Sequence, residues 1–308
     1  MSAITRKTAL PYIALVLAVL FWGFSFIATK FALQSLTPFC LIFMRFSLAS
    51  IFFVLVLFGR GAPPISKSTF KKLALLALFQ PVLYFFFETY GLKYTTATKT
   101  SLIIATIPIF VLLFSSLILK ERLRPLNIFG VICSIFGVFL LIFGGHEPMV
   151  LGKMMIGDML IAGAVISAAI YTIFARHLGQ SISPIQITGL QIIFGTLIFL
   201  PFFLWDMRRV DWQNLEMPVI IAVVGLTVFS TIGAFSCYNY ALSRVAAVRA
   251  VVFVNAIPFV TAFGAWLLLG ETLSLVQIIG GMVVICAVYL ANYKSSQTTI
   301  SVKPETTG

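Results

Sequence analysis

The amino-acid sequence predicts an all-α integral membrane protein in which ten transmembrane helices form two inverted five-helix repeats. Hydrophobic residues make up 60% of the chain and charged residues only 10%, with a mean hydropathy of +1.09. Long stretches such as residues 102–119 are apolar on every face, unlike the alternating strands of a membrane barrel. Backbone polar groups in lipid must be satisfied within their own segment, which favours helices. Two parts of the chain also resemble each other at a constant offset.

Ten apolar stretches occupy most of the 308 residues, each close to the roughly 20 residues that a helix needs to cross a bilayer. The predicted helices are residues 11–33, 38–58, 73–91, 96–119, 126–143, 156–175, 184–205, 218–242, 246–269 and 275–292. The predicted domains are a cytoplasmic lead at 1–10, a first repeat at 11–143, a linker at 144–155, a second repeat at 156–293 and a disordered tail at 294–308. The short links leave no room for a soluble catalytic domain.

The net charge of +12 predicts orientation rather than a nucleic-acid partner. If the N-terminus is cytoplasmic, the basic residues of the cytoplasmic segments outnumber those of the outer links. The cytoplasmic set is Arg6, Lys7, Arg60, Lys67, Lys71, Lys72, Lys120, Arg122, Arg124, Arg176, Arg244, Lys294 and Lys303. The outer set is Lys93, Lys153, Arg208 and Arg209. This bias predicts a protein of the cytoplasmic (inner) membrane with both termini in the cytoplasm.

The chain repeats itself at an offset of 150 residues, so that residues 91–143 align with residues 241–293. Upstream the offset becomes 146, and Lys30 aligns with Arg176 and Pro38 with Pro184. The shared landmarks are Pro108 with Pro258, Glu121 with Glu271, Leu123 with Leu273, Gly130 with Gly280, and Lys99 with Arg249. Each predicted half has five helices, an odd number, so the second half must enter the membrane from the opposite side. Inverted repeats of this kind are typical of secondary transporters, whose substrate site lies near the midplane between the halves.

A known family shares these landmarks. The residues that carry the resemblance are Trp22-Gly23, Lys30, Pro38, Arg45, Ala97, Ile107-Pro108 and Lys120-Glu121-Arg122-Leu123, with the second copy Ala247, Ile257-Pro258 and Gly270-Glu271-Thr272-Leu273. The chain resembles the ten-helix EamA family of the drug/metabolite transporter superfamily over essentially its whole length. The resemblance implies a transporter of small metabolites, often amino acids or drugs and often in the export direction.

Charged residues inside predicted helices are candidates for substrate binding or coupling, because each costs at least ~2.5 kcal/mol at the membrane centre. Glu88 is predicted to be the acid that lies well inside a helix, as a proton carrier or substrate contact, and to neutralise Arg45 or Lys99. Arg45 is alternatively a structural tie between helices. Lys99 alternatively reaches the membrane surface. Arg249 occupies the position of Lys99 in the second half, which suggests paired gates or contacts to substrate charge.

Pro108 and Pro258 are predicted to kink the fourth and ninth helices near their middles and to free the carbonyls of Ile104 and Val254. Matching interruptions in the two halves are where an alternating-access site is expected. Asn255, beside Pro258, is a further candidate because its amide needs a partner.

Four aromatic residues with a polar atom complete the candidate site: Trp22, Tyr84, Tyr171 and Tyr238. A cavity lined by such rings would hold an amphipathic solute through stacking and cation–π contacts, although plain packing is the simpler interpretation of each ring. Glu121 and Glu271 end the fourth and ninth helices and are predicted to cap the start of the next helix.

The predicted function is secondary active transport of small organic metabolites, such as amino acids or related amphipathic solutes, in the export direction. No Walker motif is present, so an ion gradient or the solute gradient would supply the energy. The two histidines, His146 and His177, lie in links, so neither a metal nor another cofactor is expected. The expected partners are a small solute and membrane lipid, with protons as a candidate coupling ion. The alternatives are a membrane scaffold or channel without coupled transport, and an intramembrane enzyme.

Overall fold

A computed structural model describes residues 3–59, 65–119, 125–144, 152–245 and 247–292, and every regular element in these ranges is helical. The α-helices are α1 (Ala3–Ala32), α2 (Pro38–Gly59), α3 (Lys67–Ala77), α4 (Tyr84–Tyr94), α5 (Ala97–Ile104), α6 (Ile107–Leu119), α7 (Pro125–Phe143), α8 (Lys153–Leu178), α9 (Pro184–Asp206), α10 (Met217–Gly225), α11 (Phe235–Leu242), α12 (Ala247–Val252), α13 (Ile257–Leu269) and α14 (Leu275–Asn292). Short π-helical or 3-10 turns join several of them: Leu78–Leu83, Met207–Arg209, Leu226–Ala234 and Phe253–Ala256.

Eight helical segments in the described ranges are long and apolar enough to cross a membrane. Two further apolar helices, Ile128–Leu141 and Leu275–Leu290, are shorter. The prediction of an all-helical multi-pass membrane protein is therefore confirmed, while ten spans in two repeats stays a prediction. Glu121, most of the predicted linker and the predicted disordered tail lie outside the described residues.

The first helix is longer than its apolar stretch. α1 begins at Ala3, whereas the sequence predicts a start at Pro11. The part with the composition of a membrane span is Ala9–Ala32. Apolar length marks the part of a helix that fits into lipid, and the polar residues before it continue the same backbone hydrogen-bond pattern.

The structure interrupts the helices next to Pro108 and Pro258, and each interruption lies just before the proline. α5 ends at Ile104 and α6 begins at Ile107, so Pro108 occupies the first turn of a new helix. In the second half, a 3-10 turn over Phe253–Ala256 precedes α13, and Pro258 again lies in the first turn. A proline fits there because first-turn N–H groups have no intrahelical acceptor. The expectation of a free Val254 carbonyl is wrong, because the Ile257 N–H donates to it.

Two more interruptions were not predicted. Between α3 and α4 the π-helical turn contains Pro81, and Gln80 has non-helical dihedral angles of φ −146° and ψ 119°. Between α10 and α11 the turn Leu226–Ala234 is also π-helical. At the offset of 150, Gln80 corresponds to Ser230, so the two turns occupy equivalent positions. Single π turns inside helices occur often at functional sites.

Close glycine contacts fix two helix pairs. α7 packs on α14 so tightly that a Cβ on Gly137 would lie 2.9 Å from the Gly280 carbonyl oxygen. α4 packs on α8 through Gly91 and Gly157, where a Cβ on Gly157 would lie 2.9 Å from the Gly91 carbonyl oxygen. Small residues at such contacts let helix backbones approach in a membrane. This contact brings α4, which carries Glu88, against the first turns of α8.

Candidate functional site

The middles of six helical segments surround a cavity with about 530 Å³ of empty space, its mouth included. Its walls come from α1, the α3–α4 segment, the α5–α6 segment, α8, the α10–α11 segment and the turn between α12 and α13. The lining residues are Trp22, Ser25, Phe26, Gln80, Tyr84, Phe85, Glu88, Ile104, Ile107, Ala168, Thr172, Ser230, Tyr238, Val254 and Ile257. The cavity thus uses residues from both sides of the predicted linker, and all four helix interruptions described above border it.

Five aromatic side chains are among the residues that line the cavity. Trp22 packs edge-on against Tyr238, with ring centroids 5.1 Å apart, and against Phe235 at 5.4 Å. Tyr84 packs edge-on against Phe85 at 5.1 Å. Edge-to-face pairs are a preferred arrangement of aromatic rings. The predicted site residues Trp22, Tyr84 and Tyr238 therefore lie together in one cavity.

Glu88 also lines the cavity and is 2% exposed. It lies on α4, where Oε2 accepts a hydrogen bond of 2.9 Å from the Thr89 hydroxyl. Its other oxygen accepts no hydrogen bond from the residues that the structure describes. The predicted direct neutralisation by Arg45 or Lys99 is not what the structure has: neither cation forms an ion pair with Glu88 in the described ranges. Arg45 still attracts Glu88 over a longer distance.

Arg45 lies behind the cavity wall and is 1% exposed. Its Nε donates to the Thr231 hydroxyl and its Nη2 to the Ser230 hydroxyl, both at 3.0 Å. The guanidinium carbon lies 4.6 Å from the ring centroid of Phe85. These contacts tie α2 to α4 and to the π turn Leu226–Ala234, and the two hydrogen bonds use two of the five N–H donors of the guanidinium.

Lys99 pairs with Asp158, an acid that the sequence analysis missed. Lys99 Nζ lies 2.6 Å from Asp158 Oδ2, and the two side chains are 3% and 1% exposed. The Thr95 hydroxyl donates to Asp158 Oδ1 at 2.5 Å. Lys99 is therefore held inside the protein and does not reach the membrane surface. The sequence did not point to Asp158, because it lies near the end of a predicted span, where a charge costs little free energy. The one indication was Lys99, a cation inside a predicted helix that needs a partner.

Next to this pair, Glu271 caps the N-terminus of α5. Its Oε1 accepts from the Ala97 N–H at 2.8 Å, and its Oε2 accepts from the N–H and the hydroxyl of Thr98 at 2.9 and 2.8 Å. Glu271 is a helix cap, as predicted, but it caps α5 instead of the next helix along the chain. The next helix, α14, begins with the Ser274 hydroxyl accepting from the Gln277 N–H. Gly270, in the left-handed region at φ 65°, turns the chain between α13 and Glu271.

Lys30 joins the same end of the bundle, which we call the Glu271 end. Its Nζ donates to the carbonyls of Leu92, at 2.9 Å, and Thr95. This end is held together by Lys30, Lys99, Asp158 and Glu271, whose contacts connect α1, α4, α5, α8 and the turn after α13. The group contains two cations and two anions, and its hydrogen bonds join residues on both sides of the predicted linker.

The remaining predicted residues lie outside the cavity lining. The Tyr171 hydroxyl donates to Asn239 Oδ1 at 2.7 Å, and Asn239 Nδ2 donates to the Thr188 hydroxyl at 2.9 Å, which ties α8, α11 and α9 together. Asn255 has a buried Oδ1 without a hydrogen-bond partner in the described residues. The side chain of Arg249 lies outside the described part of the structure.

Gln80 is a lining residue that the sequence analysis did not select. Its side chain is 6% exposed and makes no hydrogen bond to the described residues. The non-helical backbone at Gln80 places this amide in the cavity wall. The neighbouring Pro81 was the available signal, because a proline within an apolar stretch interrupts a helix in the same way as Pro108 and Pro258 do.

Comparisons with known proteins agree with this architecture. The EamA-like transporter family matches residues 9–143 and, a second time, residues 155–293. A protein of Archaeoglobus fulgidus named as a transporter is 31% identical over 287 residues, covering 93% of this chain and 98% of that protein. The transporter YetK of Bacillus subtilis is 26% identical over 302 residues, covering 96% and 91%. The WAT1-related protein At3g02690 of Arabidopsis thaliana is 25% identical, covering 93% and 70%.

A solved crystal structure shares the fold, with a TM-score of 0.66 at 18% sequence identity, covering 92% of this chain and 98% of that one. The family match covers nearly the whole chain, in agreement with the resemblance seen in the sequence. The multiple apolar helices agree with a multi-pass membrane transporter of small solutes. The chain belongs to the EamA-like transporter family.

Proposed function

We propose that this chain is a secondary transporter that moves a small amphipathic organic solute across the cytoplasmic membrane by alternating access, in the export direction. The observation that carries the proposal is the central cavity, which is built by segments of both family-matched parts of the chain. The cavity is lined mainly by apolar and aromatic side chains with a few polar groups among them, as is usual for ligand pockets. Its position between two related halves is where secondary transporters bind substrate.

Paired features of the two halves support the proposal of inverted repeats. Lys30 Nζ donates to the Leu92 carbonyl at 2.9 Å, and Arg176 Nη1 donates to the Leu242 carbonyl at 2.7 Å. Lys30 corresponds to Arg176 at the offset of 146, and Leu92 to Leu242 at the offset of 150. One structural contact therefore occurs twice. The matching π turns and proline interruptions add to this support.

The distribution of basic residues supports an orientation with cytoplasmic termini, which puts the Glu271 end outside. In this orientation the contacts of Lys30, Lys99, Asp158 and Glu271 close the outer end of the bundle. Alternating access would require these contacts to break when the solute leaves. We propose transport without catalysis, which the names of the transporter relatives support.

A side chain that fills the cavity should stop transport without unfolding the protein. Ala168 lies on α8, lines the cavity and is 5% exposed, so Ala168→Phe would place a ring inside it. Counterflow of a solute identified by a liposome screen is expected to fall at least about tenfold, which corresponds to ~1.4 kcal/mol of lost binding.

The matched control for this variant is Ile166→Phe on the same helix, because Ile166 is 41% exposed on the outer surface. It should transport like the unmodified protein. If both variants fold correctly and transport equally well, the solute does not pass through the cavity and the proposal is wrong.

Glu88 is the proposed site of proton coupling, because it is the acid among the described residues that line the cavity. The groups that interact electrostatically with its carboxylate are Arg45 on α2 and, one turn away on its own helix, Tyr84. Glu88→Gln keeps the shape and removes the ionisable group, so flux should lose its response to an imposed proton gradient, and Glu88→Asp should keep part of it. Flux in liposomes with and without a pH gradient measures this. A gradient response that survives in Glu88→Gln would assign coupling elsewhere.

A further inference from the structure

The charge of the cavity restricts the class of solute. Among the described residues that line it, Glu88 is the one charged side chain, and no described lysine or arginine is in the lining. Lys99 does not offer an unpaired positive charge to a solute, because its Nζ lies 2.6 Å from Asp158 Oδ2. A solute in this cavity therefore meets a carboxylate and no cation from the described lining.

Arg45 attracts Glu88 from a distance, but its guanidinium is not part of the cavity lining. Ser230 and Thr231 accept from two of its nitrogens, and Phe85 covers its face. The residue is 1% exposed and lies behind Ser230, which itself lines the cavity. An anionic group that approached the guanidinium through the cavity wall at Ser230 would break the hydrogen bond from Arg45, and a buried polar group that loses its partner is costly.

The rings around Glu88 suit a cation as well. Trp22, Phe26, Tyr84, Phe85 and Tyr238 line the same cavity. The faces of aromatic rings attract cations, and the attraction increases where water is excluded. The side chain of Gln80 and the free oxygen of Glu88 supply hydrogen-bond acceptors for an ammonium group.

We propose that the solute is an organic cation: a protonated amine on an apolar, ring-sized body, with its ammonium group at Glu88 and its body among the rings of Trp22, Tyr84 and Tyr238. The inference rests on the proposed function, because it names what the transport cavity takes. The cavity's rings bind the body of the solute, and Glu88 selects its charge.

The test is a series of ligands that share a phenyl body and differ in charge, titrated by calorimetry into the purified full chain in detergent. The series is 2-phenylethylamine, 2-phenylethanol, phenylalanine and 3-phenylpropionate. The amine is expected to bind at least about tenfold more tightly than the other three. Tighter binding of phenylalanine or phenylpropionate, or absence of any preference for the amine, would overturn the inference.

Variants assign the preference to the cavity. In Glu88→Gln the amine should bind within about threefold of the neutral alcohol, because its counter-charge is gone. The control is Glu216→Gln, which changes an exposed acid outside the cavity and should keep the full preference. A preference that persists in folded Glu88→Gln would also refute the inference. If Glu88→Gln fails to fold, the ligand series on the unmodified chain still tests the inference.

Binding in detergent and exchange in liposomes separate the two proposals. An amine that binds with the expected preference but is not exchanged in counterflow would refute transport and leave the ligand class standing. Exchange of a different solute by a chain that shows no preference for the amine would support transport and refute the ligand class.

Discussion

Asp158→Asn is expected to destabilise the protein by about 3–5 kcal/mol, because it leaves the Lys99 ammonium buried without a counter-charge. The Lys99–Asp158 contact is 2.6 Å long and almost completely enclosed. Thr95 cannot replace the acid, since its hydroxyl also needs the acceptor that Asp158 Oδ1 supplies. The free energy of unfolding in mixed detergent micelles, compared with the unmodified chain, measures the effect.

The double variant Lys99→Met/Asp158→Leu distinguishes an unpaired charge from a simple loss of contacts. Apolar residues of similar volume often replace a buried ion pair at no cost, so the double variant should regain most of the lost stability. Lys153→Gln on the same helix is the matched control: Lys153 is exposed, and its change should stay within about 0.5 kcal/mol. A double variant as unstable as Asp158→Asn would show that the site needs the charges themselves.

Glu271→Ala is expected to open the Glu271 end of the bundle. The change removes three hydrogen bonds to the first turn of α5, and bonds to a charged group contribute about 1.5–3 kcal/mol each. A cysteine at Ser25, in the cavity, should then react at least about tenfold faster with a bulky maleimide applied from that end. The measurement needs a background in which Cys40, Cys133, Cys237 and Cys286 are replaced.

Glu216→Ala serves as the control for this comparison. Glu216 precedes α10 at its N-terminus but makes no capping hydrogen bond through its side chain. Its loss should therefore leave the labelling rate unchanged. Equal labelling of Ser25→Cys in the two alanine variants would mean that the Glu271 cap stabilises α5 without controlling access to the cavity.

Most of the helices could be predicted from apolar length alone, because lipid imposes a minimum span on each. The predicted span 184–205, for example, corresponds to α9 at Pro184–Asp206. The π turn at Gln80 escaped this approach, since an apolar stretch looks the same whether its backbone bonds run to the fourth or fifth residue. Pro81 alone indicated it.

The candidate site was predicted in part. Trp22, Tyr84, Glu88 and Tyr238 lie together, as polar atoms within apolar helices suggested. The pairing of Lys99 with Asp158 was not predictable in the same way. The two residues are 59 positions apart, and the sequence does not show which helices pack against each other. A charge inside a helix shows that a partner is needed, whereas the identity of the partner depends on packing.

The tight pairing of α7 with α14 has a consequence for biosynthesis. The backbone that Gly137 contacts at Gly280 is synthesised much later than Gly137 itself. During translation α7 therefore lacks this partner until α14 has been inserted. The helices made before α14 cannot reach their finished packing without it.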